Sequence, residues 1–307
     1  MLGFLEQIIN ALLLGCNYAL IAIGFSLFFG ALNVVHFSHG DVCILGSFVF
    51  IILYMLAFSV KLFNVLPPCF GVLVLIAATV VITGILGMLF EKVVIKPFRN
   101  SNALMPLVAT VALGLIIRET IRLFYPEGSN PQIFPDVLPQ GYFDISGFIL
   151  RYDNLIILFV TFAVITLLFF FIRFSSKGRA IRAVSQDTEA AMMMGIRLDS
   201  TIAMTFLIGS GLGALAGILN GAYISLIRFD MGLMSGVKGW SAATIGGLGN
   251  IYGAIIGGFL FGFVETFACA YVPGGTAYKD VFAFSVVIFF LIFRPSGILG
   301  EKVYEKV

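Results

Sequence analysis

The side chains able to do chemistry are few, and most lie within apolar sequence. Glu265 sits deep in the run from Ile251 to Val272, where an ionised carboxylate is costly unless it is paired or faces a cavity. It therefore needs a partner or a proton, either in a hydrogen bond between helices or as a lining group of a transport path. The two histidines, His36 and His39, fall with Asp41 in FGALNVVHFSHGDVCILGS, residues 29–47, between two apolar runs. A short cytoplasmic turn, with Gly40 and Asp41 opening the next helix, accounts for this segment. So does a turn buried partway across a membrane, where half-helix ends and unwound backbone face a path. The His-x-x-His spacing lacks a third ligand, so a metal site is not expected. Cys16, Cys43, Cys69 and Cys269 stand singly in or beside apolar runs without CxxC spacing, as small hydrophobes do. The chain contains no G-x-x-x-x-G-K-[ST] sequence, the phosphate-cradling loop of an ATP-hydrolysing domain, so ATP-driven work requires another chain.

The elements that position these groups follow from composition. Of 307 residues, 60% are hydrophobic and 11% charged, with a mean hydropathy of +1.07, far from the usage of soluble domains. The net charge of +2 comes without a long basic tract, which disfavours nucleic acid as a partner. A bilayer core about 30 Å thick needs roughly 20 apolar residues in a helix, because backbone polar groups must bond internally there. Runs of that kind recur at 8–31, 42–65, 70–91, 104–124, 154–174, 201–227, 251–272 and 278–293. No Lys or Arg precedes Lys61, and the first run is too long for a signal-peptide core, so it is expected to remain as a span. Expected, then, is an all-α integral membrane protein of the inner membrane. It forms one domain over 1–307, a polytopic bundle of about 8 spans.

Basic loops orient it. Lys92, Lys96 and Arg99 follow the third span, and Arg173, Lys177, Arg179, Arg182 and Arg197 follow the fifth, which makes both loops cytoplasmic. Residues 125–153 hold Arg151 as their one basic residue and Pro126, Pro131, Pro135 and Pro139, which predicts an irregular outer segment and an N-terminus outside. Arg118, Glu119 and Arg122 lie toward the outer end of the fourth span, where snorkelling accounts for them. Eight complete spans leave the C-terminus outside, yet Arg294, Lys302 and Lys306 favour the cytoplasm, so something crosses once more. The candidate is VKGWSAATIGGLGN, 237–250, whose Gly246, Gly247 and Gly249 predict a broken or re-entrant piece.

Gly209, Gly213, Gly217 and Gly221 recur every fourth residue, so one face of the sixth span is bare backbone, suited to static packing or to a sliding contact. Between the fifth and sixth spans, SSKGRAIRAVSQDTEAAMMMGIRLDS is polar, yet Ala183, Val184, Ala190, Ala191, Met194 and Ile196 have helical spacing. An amphipathic helix pair fits, suited to docking a partner that pushes on the membrane domain; the alternative is an ordinary solvated loop.

Four places, Asn17 to Gly40, Gly178 to Ile196, Gly246 to Gly258 and Phe293 to Gly300, together resemble the LivH-type permease subunit of the branched-chain amino acid ABC importer family. Asn17-Tyr18-Ala19-Leu20, Phe29-Gly30 and Asn33 to Gly40 resemble its YAL…FG…INFAHG pattern, with Val-His in place of Ile-Asn. Gly178 to Val184, Glu189-Ala190-Ala191 and Gly195-Ile196 resemble its EAA-type coupling segment. Gly246 to Asn250, Gly253-Ala254 and Gly257-Gly258 are similar to GGxGSxxGAxxGG, and Phe293 to Gly300 to FRPQGLFG. The resemblance implies a permease moving branched-chain or other neutral amino acids by alternating access. It implies a second permease, of the different LivM type, two cytoplasmic ATPase subunits that use ATP and Mg, and an external solute-binding protein. No cofactor is expected on this chain, which performs no covalent chemistry. Arg179, Arg182, Glu189, Ala190, Ala191, Gly195 and Ile196 are then the ATPase-coupling residues. Tyr18, His36, His39, Gly40, Gly246, Gly247, Gly249, Asn250 and Glu265 are the pathway or gating candidates. Relatives of this kind for urea or short amides, a proton-coupled secondary transporter using Glu265 or a histidine, and a passive channel are the competing functions.

Overall fold

A computed structural model of the chain describes residues 2–61, 67–99, 101–102, 104–139, 141–145 and 148–300. Lys302 and Lys306 lie outside the described residues, as does the end of the expected 42–65 span. Seven helices among the described residues are long and apolar enough to cross a membrane. In chain order the helices are α1 (Leu2–Leu32), α2 (His39–Ser59), α3 (Pro68–Phe90), α4 (Leu104–Phe124), α5 (Tyr152–Phe174), α6 (Ser176–Gln186), α7 (Thr188–Met193), α8 (Leu198–Ile224), α9 (Met231–Gly246), α10 (Ile251–Tyr271) and α11 (Lys279–Phe293). α3 continues through a π-helical turn, Glu91–Ile95, and a 3-10 turn, Lys96–Phe98. The expected span at 278–293 is the 15-residue α11, which at 1.5 Å per residue falls short of the roughly 30 Å core.

α1 and α8 are wrapped by the other helices, and their windows are 78% buried, against 22% for α5. The glycine stripe explains why α8 can sit there. Gly213 faces the His39 ring and the Cys43 sulfur, Gly217 faces the Cys43 carbonyl and Ser47, Gly209 faces Phe28, and Gly221 faces Phe134. Bare backbone on α8 thus admits α2 at close range. Gly217→Val is expected to overpack this contact at a cost of about 1–3 kcal/mol, lowering the thermal unfolding temperature in detergent by several degrees. An unchanged melting curve would show that α2 and α8 are not in contact.

Of the segment expected as broken, 237–250, residues 237–246 belong to the continuous helix α9, and the break falls at 247–250, the turn to α10. Glycines gather at the end of α9, where they terminate the helix: Gly247 and Gly249 take φ +111° and +86°. α9, at 16 residues, makes a partial crossing, from the interior of the bundle to the basic end. Its first turn meets Gly40 inside the bundle, and its last residues accept hydrogen bonds from the chain after α11, Ile298 N to Ile245 O (2.8 Å) and Leu299 N to Gly246 O (2.9 Å). Arg294 therefore shares an end with the basic loops. The 125–153 segment is more regular than expected. β1 (Gln132–Ile133) pairs with β4 (Leu226–Ile227), and β2 (Tyr142–Ile145) pairs with β3 (Phe148–Arg151), both antiparallel. Pro131 and Pro135 bound β1 to two residues instead of abolishing it, and buried Phe134 stacks on Phe50 with centroids 5.4 Å apart.

Candidate functional site

The chain leaves α1 at Leu32, and Asn33 takes φ +53°; residues 33–38 then re-enter the bundle, so that α2 begins in its interior. Phe37 N donates to Thr110 Oγ1 (3.3 Å), and Asp41 lies against Gly114, the midpoint of α4. His36, Ser38, His39 and Asp41 are all buried. Of the two readings of this segment, the structure adopts the turn buried within the bundle. Gly24 and Gly213 leave a slot for the His39 ring. Phe25 and Phe28 meet that ring edge-on at 5.0 Å, and Phe28 meets His36 at 5.0 Å. Ser38 Oγ lies 3.3 Å from His36 Nε2. His36 Nδ1 and both ring nitrogens of His39 have no hydrogen-bond partner among the described residues. Gly40 packs on Gly236, its backbone 3.2 Å from the position of a Cβ there, and on Gly232. The N-terminal ends of α2 and α9 thus cross through three glycines.

Arg118 is not a snorkelling residue. Its Nε lies 3.2 Å from Asp41 Oδ1, with the two side chains 17% and 2% exposed, because a carboxylate at that depth requires a cation. Arg122, 44% exposed and paired with Glu119 at 2.6 Å, does behave as expected.

Glu265 receives the partner its depth demands. Lys238 Nζ lies 2.7 Å from Glu265 Oε1 and 2.7 Å from Asp280 Oδ1. The Tyr18 hydroxyl donates to Glu265 Oε2 at 2.7 Å, and its ring lies 5.9 Å from the ammonium. Four helices, α1, α9, α10 and α11, meet at one ammonium. Lys238 and Asp280 escape the sequence reading, although a lone lysine inside an apolar run was the available signal.

Gly246, Gly247, Gly249 and Asn250 are not brought to either cluster. They form the turn from α9 to α10 at the basic end, some 22 Å along α10 from Glu265 at the helical rise. Asn250 caps α10 by accepting from Tyr252 N (3.0 Å) and Gly253 N (3.2 Å), and donates to Leu299 O (2.8 Å).

At the same end the polar stretch forms the expected helix pair. Ser175 Oγ caps α6, accepting from Gly178 N at 2.8 Å, and Asp187 caps α7, accepting from Ala190 N at 3.0 Å. Arg179 and Arg182 turn back to the carbonyls of Phe174 (2.9 Å) and Arg173 (3.3 Å) at the end of α5, where the helix dipole favours cations. The inward stripe is Ile181, Val184 and Ala191; Glu189 and Ala190 face solvent. Met194, expected on the apolar stripe, is exposed, as is Met193, because helical spacing does not say which face meets the bundle. Gly195 closes α7 at φ +82°, donating to Met192 O (2.9 Å), and half-buried Ile196 donates to Ala191 O (3.1 Å). α8 starts two residues later. Its Asp199 is held by Lys96 (2.6 Å) and Arg99 (2.8 Å), and Arg99 also pairs with Glu91.

Comparison with known proteins gives a family. The model of the branched-chain amino acid transport system permease component matches residues 7–291. The high-affinity branched-chain amino acid transport system permease protein BraD of Pseudomonas aeruginosa is 35% identical over 308 residues, covering 99% of this chain and 98% of that protein. LivH of Escherichia coli K12, described in the same words, is 35% identical over 310 residues, covering 100% and 98%. The probable branched-chain amino acid transport permease protein LivH of Methanocaldococcus jannaschii is 30% identical, covering 92% and 88%.

Proposed function

Since the chain belongs to the branched-chain amino acid transport permease family, we propose that it is the membrane-spanning subunit of an ATP-driven importer of branched-chain amino acids. Its partners in this reading are a second, LivM-type permease, two cytoplasmic ATPase subunits and an external binding protein. The full-length likeness to two high-affinity permeases carries the reading. The solvent-facing α6–α7 pair at the basic end supports it, since a rigid exposed element between two spans is what an ATPase needs to grip.

ATP binding closes the ATPase pair, and α7 moves with it. Its displacement reaches α8 through the Gly195 turn. α8 carries Gly213 and Gly217 along α2, and the first turn of α2, with His36, His39 and Gly40, shifts to open or close the path. Tyr18 and Glu265 act through the lock with Lys238 and hold α1 and α10 while this happens.

In proteoliposomes, leucine uptake is expected with the companion permease, ATPase subunits, loaded binding protein and ATP, and none from this chain alone under a proton gradient. Uptake by the chain alone would favour the proton-coupled reading and refute this one.

A further inference from the structure

The transport reading leaves open which side chains meet the solute. We propose that Arg118 and Asp41 together recognise the two charges of an amino-acid zwitterion as it crosses, Arg118 taking the α-carboxylate and Asp41 the α-ammonium. This inference rests on the transport reading and adds the residues of contact.

A buried arginine whose only task is to neutralise a carboxylate normally turns its fork toward it, because two parallel N–H···O bonds are the strongest arrangement available. Arg118 does not. It approaches Asp41 through Nε at 3.2 Å, the same atom that lies 3.3 Å from Gly114 O. Asp41 Oδ1 has no hydrogen-bond partner in this arrangement. The two terminal nitrogens of Arg118 have no partner among the described residues. The guanidinium thus neutralises Asp41 from its side and leaves the donor pair that matches a carboxylate in spacing and plane.

The surroundings of Asp41 are equally open to a small polar group. Its carboxylate is walled by the bare backbone of Gly114 on α4 and Gly232 on α9, positions at which any side chain would fill the space beside it. Gly232 stands at the crossing of the α2 and α9 ends, the element that moves in the proposed mechanism, and Gly114 faces the start of α2 from α4. Arg118 is 17% exposed and Asp41 2%, so the cation is the more accessible member of the pair. A neutral zwitterion needs one cation and one anion a few ångströms apart, and this pair supplies both. The Lys238 cluster does not, because its ammonium is already shared by two carboxylates.

The test uses the complete transporter in proteoliposomes, with leucine delivered by the binding protein. Arg118→Lys keeps a cation beside Asp41 but removes the fork, and should slow uptake by roughly five-fold or more at unchanged subunit assembly and ATP hydrolysis. The double variant Asp41→Asn/Arg118→Gln removes both charges at once and leaves no unpaired ion; its uptake should stay below about a tenth of the unaltered rate. A purely structural pair predicts the reverse, near-normal uptake in both variants, and that result would overturn the proposal. The unaltered transporter is the control. If it fails to import leucine, the transport reading itself is wrong; if it imports leucine and Arg118→Lys matches it, only the zwitterion site is wrong.

Discussion

Lys238→Met is expected to remove the protein from the membrane almost completely. The substitution preserves the length of the side chain but leaves Glu265, 4% exposed, beside Asp280 with no cation. Stripping one partner from a buried pair costs about 3–5 kcal/mol, a large share of the 5–15 kcal/mol by which proteins are ordinarily stable. The position magnifies the loss, because Tyr18, Glu265 and Asp280 bring three other helices to the same ammonium. In-gel fluorescence of a tagged chain should show the amount of folded protein falling at least about ten-fold. Lys238→Met/Glu265→Gln, which neutralises the pair together, should recover much of it. If the single variant accumulates and melts like the unaltered protein, the cluster does not hold these helices.

Gly195→Val should produce the opposite phenotype: normal insertion and lost transport. Gly195 sits at φ +82°, a conformation that costs an L residue roughly 1–2 kcal/mol and a β-branched one still more. No atom lies within 4 Å of the position its Cβ would occupy, so there is no clash to unfold the bundle. The strain relaxes instead by changing the turn between α7 and α8, which redirects Met193 and Met194 and the start of the helix that faces α2. With the partner subunits present, uptake per inserted chain should fall about ten-fold or more while the melting temperature holds. Normal uptake would remove this turn from the coupling route. Glu189→Lys, an exposed reversal beside it, offers an independent check.

The spans were legible because a bilayer imposes a length and a composition on any helix that crosses it, and that signature is local. The α6–α7 pair was legible for the same reason, through its helical spacing. Pairings between distant helices were not. Glu265 announced a need for a partner, but nothing near it in sequence says that Lys238 answers it. Arg118 looked like an ordinary residue at a span end until packing placed Asp41 beside it. The glycines of 246–249 marked a break but not its kind: glycine weakens a helix equally well in its middle and at its end, and only the tail packed against them settles that they end α9. Met194 shows the same limit, since hydrophobic character does not distinguish a residue buried in its own bundle from one offered outward.

The residues after α11 carry a practical consequence. Leu299 is tied to the α9–α10 turn by its own N–H and by Asn250, and Gly30 lies between that turn and Ser185 of α6, 3.2 Å from Ser185 Cβ and 3.7 Å from the Gly249 carbonyl at its ideal Cβ. A dye attached at Leu299 is therefore held next to the surface that would receive the ATPase subunits. That makes it a natural reporter of their arrival.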